Sequence, residues 1–220
     1  MSEKKLDKKP KKVKLKENEN ENEKEKKTKE KIEKGKERIE QLFTEAYKKS
    51  NRTLRLSDDI FDISIGKRVI ADDLGDNSAI PVYSANVFEP FGYVESYLIE
   101  DFSVPSVLWG IDGDWMVNYI PAGKPFYPTD HCGVLRLKTN DILPKYFAWV
   151  LEKVGVEQRF SRTLRASIDR IKGLSIKIPP LPEQQRIVSD IEKIENHIQE
   201  MQNELDQLSD QKILILKKYL

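Results

Sequence analysis

The sequence predicts an α+β protein: one globular domain followed by a long C-terminal coiled-coil helix, and preceded by a charged tail and a short helix. Three observations carry this. Residues 51–181 hold nine of the ten glycines and all three tryptophans, and alternate short apolar runs with turn residues. Residues 182–220 repeat apolar side chains at intervals of four and three. Residues 1–28 are almost entirely Lys, Glu and Asn.

The 220 residues carry 38 basic and 37 acidic side chains, a formal charge of +1. The balance conceals a split. Met1–Ser50 has 18 basic and 12 acidic residues, and the remainder has 20 and 25. Local clusters, not the sum, therefore decide whether a polyanion is a plausible partner. No stretch approaches the roughly 18 apolar residues of a membrane span, and no apolar signal segment opens the chain. A single cysteine, Cys132, excludes an internal disulfide framework and a multi-cysteine zinc site. The expected compartment is the cytoplasm.

Within 1–28 only Leu6, Val13 and Leu15 are sizeable apolar residues, so no core offsets the entropy of ordering and a disordered tail is expected. Eight lysines in Met1–Lys16 leave open a second role, as a basic arm on phosphates. Residues 29–50 should form an amphipathic helix, because Ile32, Ile39, Leu42, Phe43, Ala46 and Tyr47 fall on one stripe.

In the domain, strands are expected at Ile60–Ile65, Ile80–Ser84, Tyr93–Ile99, Val107–Trp109, Trp115–Tyr119, Val134–Lys138 and Ile176–Ile178, with a hairpin turn at Asp112-Gly113. Helices are expected at Pro144–Val154 and Glu157–Leu164. The C-terminal seam Ile187, Ile191, Ile194, Ile198, Met201, Leu205, Leu208, Ile215 and Tyr219 is interrupted only at Lys212, and predicts a coiled coil that dimerises the chain. Glu183–Asp206 has seven acidic and two basic residues, whereas Gln207–Leu220 carries Lys212, Lys217 and Lys218. Opposite ends of opposite charge favour antiparallel pairing.

Catalytic and metal patterns are not found. His131 and Cys132 are neighbours, so on a strand they point to opposite faces. Asp112 and Asp114 lack the remaining ligands of a calcium loop. Gly110–Gly113 has the spacing of an RNA-binding GxxG loop, which is weak evidence alone. No phosphate-binding glycine loop occurs, and no cofactor is expected. Arg159, Arg162 and Arg165 recur every three residues, and on a helix would share one face, with Arg170 and Lys172 following. Five cations in an otherwise acidic domain fit phosphate contact and guanine readout, or a solvated face paired locally with Glu157 and Asp169. Lys67 and Arg68 form a second basic group. Tyr83, Ser84 and Asn86, in an expected loop, either reach base edges or serve packing and turns.

The run IKIPPLPEQQRIV (176–188), leading from a domain into a heptad helix, resembles the specificity subunit of type I restriction-modification systems. The match lies in Pro180, Leu181, Pro182, Glu183, Gln184 and Gln185. LSDDIFDISIGKR (56–68), AIPVYSANV (79–87) and VLWGIDGDW (107–115) are similar to the opening, first internal strand and central hairpin of the family's target-recognition domain. The resemblance implies a non-catalytic subunit that reads double-stranded DNA and recruits methyltransferase subunits, with a restriction/motor subunit as a further partner. The family uses two recognition domains and two coiled-coil regions. One of each implies a homodimer, whose antiparallel coil would set two domains on a bipartite site. Two alternatives from other classes are a coiled-coil adaptor whose domain binds protein, and the recognition part of a single-chain methyltransferase-nuclease. The latter would need a separate catalytic segment, since no Asn/Asp/Ser-Pro-Pro-Tyr/Phe element is present.

Overall fold

A computed structural model describes residues 9–50, 52–75 and 79–217, and side chains for 22–50, 52–75, 79–211 and 213. The chain divides into two compact units, Met1–Glu45 with Ser189–Leu220, and Ala46–Val188.

The first unit is a pair of helices, drawn from α1 (Lys9–Lys49) and α4 (Leu181–Lys217). Ile32 packs with Ile198, Met201 and Leu205. Three residues further along α1, a Cβ on Gly35 would lie 2.9 Å from Ile198, with Ile194 beside it. Advancing along one helix retreats along the other, so the two run antiparallel, and a side chain at Gly35 would displace the tip of Ile198. Helix α1 starts twenty residues earlier than the apolar stripe indicates. Residues 9–28, expected as a disordered tail, are helical where described, and 1–8 lie outside the described residues. Among the described side chains, Glu23–Lys27 and Glu25–Lys29 are i,i+4 pairs at 2.7 Å, in the orientation that favours a helix.

The seam of α4 also has a different partner. Ile198, Met201 and Leu205, expected to face a second copy, pack on Ile32 of the same chain. A stripe of apolar residues specifies burial but not which helix provides it. Ile187 and Ile191 are fully buried, and the side chain of Ile215, with Tyr219, lies outside the described residues.

In the second unit, β1 (Arg52–Arg55) pairs antiparallel with β9 (Ser175–Ile178), which ties the entry of the domain to its exit. A four-stranded antiparallel sheet runs in the order β2 (Phe61–Ile65), β8 (Cys132–Leu137), β5 (Ser106–Gly110), β6 (Val117–Ile120). A smaller sheet holds β4 (Gly92–Val94), β3 (Ile80–Tyr83) and β7 (Tyr127–Pro128), with β3 and β7 parallel. Strand β5 is buried along its whole length because both faces are covered. Leu108 joins Cys132, Val134, Val87, Ile120 and Phe126 in one cluster. Val107 and Trp109 point the other way, and α2 (Pro144–Glu157) packs on this sheet, against β5 and β6.

Seven strands were expected and all seven regions contain one, although in Tyr93–Ile99 only Tyr93 and Val94 are paired. Strands β1 and β7 were not foreseen: β1 lacks an apolar alternation and β7 is two residues long with a proline. The helix expected at Glu157–Leu164 is absent. Helix α2 stops at Glu157, and the next helix, α3, spans Ile168–Lys172.

The junction motif resolves into one buried amide. Gln184, in the first turns of α4, is fully buried. Its Nε2 donates to Asp141 O at 3.0 Å and Pro179 O at 2.9 Å, and its Oε1 accepts from Leu143 N at 2.8 Å. The side chain therefore clasps the loop before α2 to the strand exit before α4, with its hydrogen-bonding groups satisfied. Gln184→Ala leaves one donor and two acceptors without partners, and should lower stability by about 3 kcal/mol. Gln184→Glu is nearly isosteric but turns a carboxylate toward two carbonyls. Its folded form should hold the proton, so the variant's stability in thermal unfolding should fall as pH rises from acid to neutral, whereas Gln184→Ala shows no such slope.

Candidate nucleic-acid interface

The arginine-rich segment follows the end of α2, and the way that helix ends determines its shape. Arg159 adopts φ +60°, the left-handed conformation that normally falls to glycine. Arg159 N donates to Val156 O at 3.0 Å and Phe160 N to Gly155 O at 3.1 Å, the paired bonds of a Schellman cap. Phe160 then folds back onto Trp115, with ring centroids 5.1 Å apart. Trp115 covers Gly155 and donates from Nε1 to Glu152 O at 2.8 Å. The indole of the β5–β6 hairpin thus terminates α2, and Arg159, Arg162 and Arg165 lie on an irregular segment, not on one helical face.

A second indole fixes the far side of that segment. Trp109, fully buried on β5, lies across Gly133 of β8, where a Cβ would come within 2.1 Å of the ring. Only glycine leaves room for this placement. Trp109 Nε1 then reaches Ala166 O at 2.9 Å, and Ala166 N donates to Ile111 O at 2.8 Å. The residue after Arg165 is thereby held on both its backbone groups by the hairpin strand. Arg170 Nη1 donates to Arg165 O at 2.7 Å, which restrains the segment from the α3 side.

Asp112, in the hairpin turn, collects the polar groups. Its carboxylate receives His131 Nδ1 at 2.8 and 2.9 Å, and lies 3.3 Å from Arg165 Nη2. Beside it an open groove of about 660 Å³ is lined in part by Ile65, Ile111, Asp130, Arg165, Ser167 and Arg170. Arg159, Arg162, Lys172, Lys67 and Arg68 are exposed, and among the described residues none forms an ion pair. Among the described residues the alternative of local pairing with Glu157 and Asp169 is not seen; Arg165 is paired with Asp112.

Residues 52–210 match the type I restriction modification DNA specificity domain. The chain belongs to that family. In fold it is similar to the type I restriction-modification S subunit from M. genitalium (TM-score 0.67, 15% identity, 90% of this chain and 57% of that one). The HsdS subunit from Thermoanaerobacter tengcongensis is also similar (TM-score 0.61, 16% identity, 91% and 54%). So is a chain from a structure described as the basis of complex assembly and conformational transition of the type I R-M system (TM-score 0.58, 15% identity, 89% and 55%). The chain spans about half the length of these matches. No curated protein matches it.

The remaining candidate residues of this specificity domain meet at the turn after β7. Lys67 N donates to Pro128 O at 3.2 Å, Thr129 N donates to Tyr83 O at 2.9 Å, and Thr129 Oγ1 donates to Ser84 Oγ at 3.1 Å. The same turn carries Asp130 and His131. It therefore places the Lys67-Arg68 loop, Tyr83 and the Asp112 cluster around one short stretch of chain. Tyr83 is half-buried, and burial raises its phenol above the ordinary range. Asn86 is occupied locally: its Oδ1 accepts from Phe88 N at 3.0 Å and Glu89 N at 3.1 Å, which is a turn role.

The pairing of Asp112 with His131 was missed, since the two are nineteen residues apart and only the β5–β8 register brings them together. Cys132 points the opposite way into the core, and burial pushes its thiol well above the usual range. Among the described residues no helix is long and apolar enough to cross a membrane.

Arg159→Gly removes the left-handed strain and should raise stability by about 0.5–1 kcal/mol, whereas Arg159→Val should lower it by at least as much. Denaturant titration of both variants checks this, and an unchanged midpoint for each would show that the cap is not strained.

Proposed function

We propose that the chain is the DNA-specificity component of a type I restriction-modification assembly, reading double-stranded DNA with the face built by the 159–172 segment, the β5–β6 hairpin and the loop at Lys67-Arg68. The observation that carries this reading is a segment pinned at Ala166 from two directions, on which the exposed Arg159, Arg162 and Lys172 form no ion pair among the described residues. Cations without carboxylate partners attract polyanions, and a pinned backbone lowers the entropy lost on binding. The segment's role would be recognition, without catalysis, and the helical unit would hold methyltransferase subunits and a restriction/motor subunit.

The proposal extends to pairing of two copies, so that two domains address the halves of a bipartite site. Because Ile198, Met201 and Leu205 already face Ile32 within the chain, the copies would meet through outer faces of the helix pairs and not through those residues. Sedimentation of the full chain should give the mass of two copies; a single-copy mass at all concentrations would remove pairing from the proposal.

Phosphate contact has its own signature. Arg162→Ala and Lys172→Ala should each weaken binding to all DNA sequences alike and reduce the slope of log affinity against log salt by about one. Unchanged slopes, measured by fluorescence anisotropy over a salt series, would take both residues out of the interface.

A further inference from the structure

Asp112 holds two side chains with opposite hydrogen-bonding capacities. A carboxylate only accepts, so in the neutral imidazole the proton sits on Nδ1, bonded at 2.8 Å, and Nε2 presents a lone pair. Nε2 lies 3.9 Å from Asp130 Oδ1, too far for a hydrogen bond, and the ring is 44% exposed. Arg165 Nη2 is ion-paired with Asp112 at 3.3 Å and, at 54% exposure, the guanidinium keeps donors open to a ligand. A fork of donors and a lone acceptor are thus hung from one carboxylate. In the major groove a G·C pair offers the complement: acceptors at guanine O6 and N7, and a donor at cytosine N4. An A·T pair offers no pair of adjacent acceptors on one base for a bidentate guanidinium.

We propose that Arg165 and His131, positioned by Asp112, read a single G·C base pair, with Arg165 donating to guanine O6 and N7 and His131 Nε2 accepting from cytosine N4. This rests on the DNA-reading function proposed above. Preorganisation supports it: the backbone around Arg165 is held by the Trp109, Ile111 and Arg170 contacts, and its guanidinium by Asp112. Asp112 touches no base; it is a positioning residue that fixes the imidazole tautomer and the guanidinium direction.

Selection of bound sites from a random duplex pool by the full chain tests the assignment. The wild type should enrich a motif with an invariant G·C pair at one position. Arg165→Lys keeps the charge but not the fork, so preference at that one position should drop about tenfold or more while the rest of the motif persists. His131→Phe keeps the ring's bulk without the acceptor, and Asp112→Asn keeps the turn without the charge; both should relax the same position. An Arg165→Lys motif identical to the wild type would make Arg165 a phosphate contact and overturn the inference, as would relaxation at different positions in the three variants. If the wild type enriches no motif at all, the DNA-reading function itself falls, a result distinguishable from an intact motif that ignores these residues. Matching thermal unfolding of the variants excludes misfolding as the cause of any loss.

Discussion

The fold of the domain and the departure of its last helix meet in one side-chain amide. Gln184 is buried, and satisfies Leu143 N, Asp141 O and Pro179 O at once. A buried peptide group without a partner costs about as much as several net hydrogen bonds contribute, so loop, strand exit and helix start are conditional on the same residue. Around it, Thr139 donates to the Asp141 carboxylate and Arg52 pairs with it, together holding it below the usual carboxylate range. Together with the β1–β9 pairing, these contacts make the entry and exit of the domain a single joint.

Two indoles perform the corresponding task for the interface. Trp115 ends α2 by covering Gly155 and receiving Phe160, and Trp109 crosses Gly133 to hold Ala166. Both belong to the central hairpin, so the basic segment takes its conformation from a sheet to which it is not adjacent in sequence. The left-handed Arg159 between them is a local cost accepted where an arginine, not a glycine, occupies the cap.

What is legible in the sequence follows physical range. The long helix α4, the Asp112-Gly113 turn and the start of that helix at the Pro-Leu-Pro-Glu-Gln junction are each specified within a few neighbouring residues, and each is found where expected. The helix placed at Glu157–Leu164 failed because an i,i+3 spacing of arginines describes only how they would align on a helix. Phe160 found a better partner in Trp115, forty-five residues earlier in the chain. Asp112 and His131 carry no joint signal in the sequence for the same reason: no local pattern marks a pair created by strand register.

The sequence by itself determined the class, an α+β domain with a long amphipathic helix, because periodicity and turn chemistry are local properties of the chain. It also marked the cations 159–172 as unusual. Only the tertiary structure decided their arrangement and the seam's partner. An apolar stripe is satisfied by any apolar surface, and Ile32 of the same chain supplies it; a guanidinium is directed by whichever carboxylate stands within reach, and strand pairing puts Asp112 there. Burial and charge are written along the chain, but the identity of the group that meets them is settled in three dimensions.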